Sequence, residues 1–293
     1  MPNSTSYSYD ANDRLSTDTY DNDGNTTVSG IVTNTYDFEN RMLTSGAVSM
    51  VYDGDGNRVS ETGGGVTTKY LVDTLNPTGY SQVLDELVNG SVTKTYTYGL
   101  QRISENQLVG STWTPTFYGY DGHGNVRFLT SSAGTATDTY QFDAFGNAIA
   151  RTGATANSYL YSGERWDSNL GLYHLRARYY NQATGRFESM DPAAGNIVEA
   201  ITLHKYLYAG ADPVDAADPT GRDIFENVLI EGGSLPAYPG LRAIGYAAAY
   251  VFCEAAKPLA NLFQTWPPGA VSPILIPVWS VKSAAALCTA FGF

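Results

Sequence analysis

Asp-Pro pairs stand at Asp191, Asp212 and Asp218, and the run "RARYY" places Arg176 and Arg178 a short way upstream. Two carboxylates brought together can share one proton, so that one activates water while the other protonates an amide carbonyl. A guanidinium beside them would hold one carboxylate ionised or orient the backbone to be cut. The proline after each aspartate removes an amide hydrogen and stiffens the chain, which helps to present the carboxylate. The same residues also make ordinary turns, with Asp as backbone acceptor and Pro at the second position. Spacing alone favours the turn, and Arg176 and Arg186 read as packing or surface arginines.

Other chemistries find less support. Ser162 in "YSGER" is not on a nucleophile elbow. The glycines at 63 to 65 lack the lysine of a phosphate-binding loop. The histidines His123, His174 and His204 are scattered, and the only cysteines, Cys253 and Cys288, are far apart. Neither set has metal-ligand spacing, so no metal and no cofactor are expected. The two cysteines read as buried small residues, or as a pair if the chain is exported.

Any such site must be positioned by something, and the sequence is mostly one motif. "YDANDRLST" starts at Tyr9, "YDNDGNTTV" at Tyr20, "YDFENRMLT" at Tyr36 and "YDGDGNRVSET" at Tyr52. Weaker copies lie near Tyr70 and Tyr98, and two more open at Tyr120 and Phe142. Gly-Asn pairs adopt positive φ cheaply, and the Asp can close the turn on the backbone. The run after each turn alternates as a strand does. The tyrosine offers a ring to pack and a hydroxyl to satisfy. Each copy is a strand-turn-strand unit, and stacked units predict a long antiparallel sheet that curls into a partial shell.

Composition agrees. The 293 residues include 22 Tyr and 30 Gly, which favour strands and turns. The net charge of -12 falls on residues 1 to 221, because from Arg222 onward acids and bases balance. An acidic surface repels phosphate backbones, so nucleic acid is not an expected partner. The start is polar and has no apolar core of a signal peptide.

The motifs resemble those of the Rhs family of YD-repeat proteins, which includes Tc-toxin C subunits. The resemblance is strongest from about Tyr118 to Gly221. It rests on "YDGHGNVRFLT", "FDAFGNAIA", "YLYSGERWDSNLGLYHLRARYYNQATGRFESMDP" and "ADPVDAADPTG". It implies YD repeats over 1–117, an Rhs repeat-associated core domain over 118–221 and a variable tail over 222–293. Family members wind the repeats into a hollow β-shell plugged by the core. They hold the C-terminal segment, often a toxin, inside, and the core cuts it free as an aspartic-type autoprotease. A wall of this length is too short to enclose a folded passenger by itself.

The resemblance places the catalytic residues on Arg178, Asp191 and Asp218, with the cut between Arg222 and Asp223. Asp218 follows Asp191 at a longer interval than expected, and Arg222 stands where the family has an apolar residue. An apolar pocket would accept that charge poorly. His204 replaces the family's usual residue and is expected to pack. The implied setting is secreted or cell-surface. The implied partners are the chain's own tail as cargo, an immunity protein and a secretion or shell partner.

The tail changes character. "LRAIGYAAAYVFCEAAKPLANLF" predicts a short helix interrupted by Pro258, and "ILIPVWSVKSAAALCTAF" is apolar apart from Lys282 and hydroxyls. Neither gives about 20 uninterrupted apolar residues for a span. The tail reads either as a helical segment packed on the shell or as a membrane-active passenger.

Overall fold

The computed structural model describes residues 6–195, 197–198 and 200–222, and the backbone of 225–226. The chain divides into two units, Met1–Asn76 with Tyr80–Pro236, and Pro77–Gly79 with Ala237–Phe293. The described architecture belongs to the first, and Pro77–Gly79 lies in the loop between its seventh and eighth strands. The tail, where a short helix is expected, and both cysteines lie outside the described residues.

One antiparallel sheet of fourteen strands follows the chain in order. Its first seven are β1 (Thr19–Tyr20), β2 (Thr26–Ser29), β3 (Val32–Tyr36), β4 (Met42–Ser45), β5 (Val48–Tyr52), β6 (Arg58–Gly63) and β7 (Val66–Asp73). The rest are β8 (Gln82–Val88), β9 (Ser91–Tyr98), β10 (Arg102–Val109), β11 (Thr112–Tyr120), β12 (Val126–Ser131), β13 (Ala136–Phe142) and β14 (Ala148–Thr152). The sheet runs without a break across residues 117–118, which both lie in β11. A four-stranded sheet follows: β15 (Arg165–Asp167), β16 (Leu172–Leu175), β17 (Arg178–Asn181) and β18 (Arg186–Phe187). A last short pair joins β19 (Ala216–Ala217) to β20 (Phe225–Glu226).

The YD turn is more elaborate than a two-residue hairpin. In the unit at Asp53, its amide donates to the Asn57 carbonyl at 3.0 Å, and Gly56 donates back to the Asp53 carbonyl at 3.2 Å. Asp53 Oδ1 accepts from the amides of Asp55 (3.0 Å) and Asn57 (2.8 Å). Asn57 Nδ2 closes onto the same carboxylate. The units at Asp121 and Asp143 repeat this pattern. Gly124, like Gly56, takes positive φ at the fourth turn position (+87°), where a side chain would be strained.

The tyrosine before an Asp has two jobs, of which Phe142 keeps only the second. Its hydroxyl reaches back to the preceding unit: Tyr36 donates to the Thr26 carbonyl at 3.1 Å and Tyr52 to the Met42 carbonyl at 2.9 Å. It also marks a register slip, seen at Tyr20, Tyr36, Tyr52, Tyr120 and Phe142. A bulge bends a sheet and raises its twist, so a bulge in every unit curls the wall.

The curl brings both ends of the wall to one turn of the core segment. Tyr7 donates to the Ala183 carbonyl at 3.2 Å, and Asn147 Nδ2 donates to the Gln182 carbonyl at 3.1 Å. Inside lies a tyrosine-rich core of Val126, Leu129, Tyr140, Tyr161, Tyr173, Tyr180, Phe187 and Tyr208 with smaller neighbours. Where wall meets core segment, charges are buried in pairs. Arg58 contacts Asp167 at 2.6 Å, and Arg165 contacts Glu86 at 2.7 Å.

Candidate functional site

Arg178 begins β17, a strand whose first three residues are buried between the core tyrosines and the segment that follows β18. Its guanidinium is 5% exposed and is stacked on the Phe187 ring, 3.7 Å from the centroid. From there it reaches both candidate aspartates. Nη2 lies 2.9 Å from Asp191 Oδ2 and 3.5 Å from Asp218 Oδ2. Both carboxylates meet the same nitrogen, so they sit within one guanidinium's reach of each other. Burial pushes the guanidinium below its ordinary value, while Asp191 and Asp218 pull it back up.

Backbone bonds set the two aspartates. The Asp191 amide donates to the Lys205 carbonyl at 2.9 Å, and Asp191 Oδ1 accepts from the Ala193 amide at 2.9 Å. Asp218 follows directly on β19 and is 2% exposed. Its Oδ1 accepts from Thr220 Oγ1 and from the Arg222 amide, each at 3.1 Å. The turn chemistry read from the sequence is therefore present at both positions, and the same side chains still converge on Arg178. The third Asp-Pro, at Asp212, makes a turn only, its Oδ1 accepting from the Asp215 amide at 3.4 Å.

The chain around the expected cut is held closely. Arg178 Nε donates to the Gly221 carbonyl. Gly221 has φ of +72°, and a Cβ there would stand 2.2 Å from the Leu175 carbonyl oxygen. Only glycine fits this approach. Arg222 is exposed. Asp223 lies outside the described residues.

Arg176, read as a packing or surface arginine, is packed, and sequence reasoning missed its link to the Asp218 turn: its Nη1 donates to the Pro219 carbonyl and pairs with Glu164 at 2.9 Å. The visible signal was the alternation in "RAR", which repeats a side-chain type two residues apart. Arg186 is a packing arginine, between the Tyr9 and Tyr206 rings and 3.3 Å from Asp13. His204 is half exposed beside Asp13, and His174 is packed on Tyr179, away from the aspartates. Ser162 sits in a turn with its amide on Asn125 Oδ1 at 2.8 Å. Among the described residues no cluster of His, Cys, Asp or Glu is arranged to hold a metal.

A meander of tyrosine-capped hairpins, bulged at each unit and curled round a tyrosine-rich core segment, defines a YD-repeat β-wall protein. No family profile matches the chain. The tRNA3(Ser)-specific nuclease WapA of Bacillus spizizenii is 35% identical over 193 residues, covering 63% of this chain and 8% of that protein. The tRNA nuclease WapA of Bacillus subtilis (strain 168) is 34% identical over 191 residues, with the same coverage. Salivary gland surface protein 1 of Aedes aegypti is 33% identical over 124 residues, 41% of this chain and 4% of that protein. Among solved structures, TcdB2-TccC3 superposes with a TM-score of 0.54 at 20% identity, over 69% of this chain and 11% of that one. A Photorhabdus luminescens Tc holotoxin pore gives 0.55 at 16% identity, over 77% and 12%. These structures share the fold. The chain belongs to the Rhs/YD-repeat family, and it spans a small fraction of the length of the relatives it matches.

Proposed function

We propose that this chain is the core-bearing part of a secreted or surface-displayed YD-repeat wall, and that its Arg178, Asp191 and Asp218 cut the chain between Arg222 and Asp223 to release residues 223–293. The observation that carries the reading is one guanidinium on both carboxylates and on the Gly221 carbonyl. Similarity to the WapA nucleases and to Tc-toxin structures supports a wall that carries C-terminal cargo. The cargo's natural partner would be an immunity protein in the producing cell.

The reaction is amide hydrolysis. One carboxylate takes a proton from water as its oxygen attacks the Arg222 carbonyl carbon. The other, protonated, gives its proton to the carbonyl oxygen. Collapse of the tetrahedral adduct breaks the C–N bond, with a proton passing to the Asp223 nitrogen. A carboxylate remains on Arg222 and an amine on Asp223. Arg178 holds both carboxylates on one nitrogen and orients the approaching strand.

Intact mass of the purified protein tests this. The expected result is a fragment beginning at Asp223, absent from Asp191→Asn and Asp218→Asn. A full-length mass across the whole pH range would overturn self-cleavage and leave Arg178 as a structural latch. Delivery is tested separately by a tag placed after Phe293. Recovery of that tag only from the cytosol would overturn export.

A further inference from the structure

The turn between β16 and β17 holds the strand that leads to the expected cut, and it does so one carbonyl at a time. Arg176 Nη1 donates to the Pro219 carbonyl. The Ala177 amide donates to the Thr220 carbonyl at 3.2 Å. Arg178 Nε donates to the Gly221 carbonyl. Three consecutive residues thus meet three consecutive carbonyls in order. Asp218 Oδ1 then takes the Arg222 amide at 3.1 Å, which fixes the residue whose carbonyl is to be attacked.

Arg176 is costly where it stands. Leu175 pairs with Arg178, so Arg176 and Ala177 are the two centre residues of a tight hairpin. Arg176 has φ of +51°, at the first centre position, where glycine is the easy choice. Holding a larger residue there costs on the order of 1 kcal/mol or more. The guanidinium is nonetheless built in. Glu164 pairs with it through both oxygens, at 2.9 and 3.0 Å, the Ser81 carbonyl accepts from Nε at 3.3 Å, and the Tyr80 ring lies 5.0 Å away. The Nη1 that Glu164 holds is the one that donates to the Pro219 carbonyl, three residues before Arg222.

We propose that Arg176 is a positioning residue: buttressed by Glu164, it locks the 219–221 strand in register so that the Arg222 carbonyl, and no neighbour, meets the aspartates. This rests on the self-cleavage reading above. Arg176 touches no reacting atom and acts through the strand it holds.

The test uses the full chain and two readouts. Arg176→Gly suits the turn, and Glu164→Gln in the same chain removes the carboxylate left alone. The double variant is expected to fold with an unchanged melting temperature. Its cleavage is expected to slow on the order of tenfold to a hundredfold, as for a strand displaced by about an ångström. Its product masses should spread to bonds beside Arg222–Asp223. Hydrogen exchange of the Ala177 and Arg222 amides should speed up, with the Tyr173 amide unchanged. Cleavage at the parental rate and single mass would overturn the proposal while leaving self-cleavage standing. If the parent chain is never cut, self-cleavage fails. Exchange then decides for the register alone: faster exchange in the variant supports it, and unchanged exchange overturns it.

Discussion

Gly221 shows how tightly individual residues are specified here. A methyl at this position would collide with the Leu175 carbonyl and press on the Arg178 amide, in a positive-φ conformation. Gly221→Ala is expected to destabilise by about 1–3 kcal/mol and to abolish cutting, measured by urea unfolding and intact mass. Wild-type cleavage in that variant would mean that the Arg178 contact with this carbonyl is incidental. Arg178→Lys keeps the charge but loses the fork that serves Asp191, Asp218 and Gly221 together. Its cleavage should be lost, and retention of the parental rate would sink the assignment. That Arg178, Asp191 and Asp218 come together was legible because a motif order marked them. Arg176 was not, since its partner carbonyl at Pro219 lies far along the chain and only the fold reveals it.

At the level of the hairpin unit, two separate devices can be weighed against each other. Tyr52→Phe removes one hydroxyl bond to the Met42 carbonyl, worth about 1 kcal/mol. Asp53→Ala removes acceptors from two backbone amides and from the Asn57 side chain, and should cost more, about 2 kcal/mol. Urea midpoints of the two variants check the order, and a silent Asp53→Ala would discredit the turn as a structural staple. The repeat itself, its strands and its turns could be read from Tyr-Asp and Gly-Asn. The bulge at each aromatic could not, because register depends on which partner residue is skipped across the ladder, and one strand's sequence does not carry that.

For the molecule as a whole, acid acts on the seam between wall and core in two opposing senses. Burial, and then Arg58, Arg165 and Arg176 around it, hold His174 well below the ordinary value of 6.5. The unfolded chain takes up that proton first, so stability falls as pH drops below about 6.5. Burial raises Glu61, Glu105 and Glu188, with the hydrogen bond to Asp167 also raising Glu61, so these groups favour the folded state as pH falls toward 4.5. Glu86 is buried too, but Arg165 and Lys94 outweigh that and bring it down to about 2, so its contribution is present above 4.5 and lost toward 2. His174→Gln should therefore lose less stability than the parent between pH 7.5 and 5, compared by urea midpoint. Glu86→Gln should be weaker than the parent at pH 7 and converge with it near pH 2. Equal pH slopes for parent and His174→Gln would show that the imidazole is wet. Sequence patterning forecast the wall. It did not forecast this seam, because a charged residue on an alternating strand normally faces solvent.

Those paired charges bear on how the chain comes into being. Within the fourteen-stranded ladder each strand pairs only with its sequence neighbours, so the ladder can form as the nascent chain leaves the ribosome, before Arg165 and Asp167 exist. During that interval its inner surface stands open to the cytosol. A wholly greasy lining would stick to other half-made chains, whereas Arg58, Glu61, Glu86, Lys94 and Glu105, set among the apolar side chains, keep part of it hydrated, with Glu61 already beside Arg58 and Glu105 beside Lys94. The later segment then brings the counter-charges, with Asp167 meeting Arg58 and Arg165 meeting Glu86.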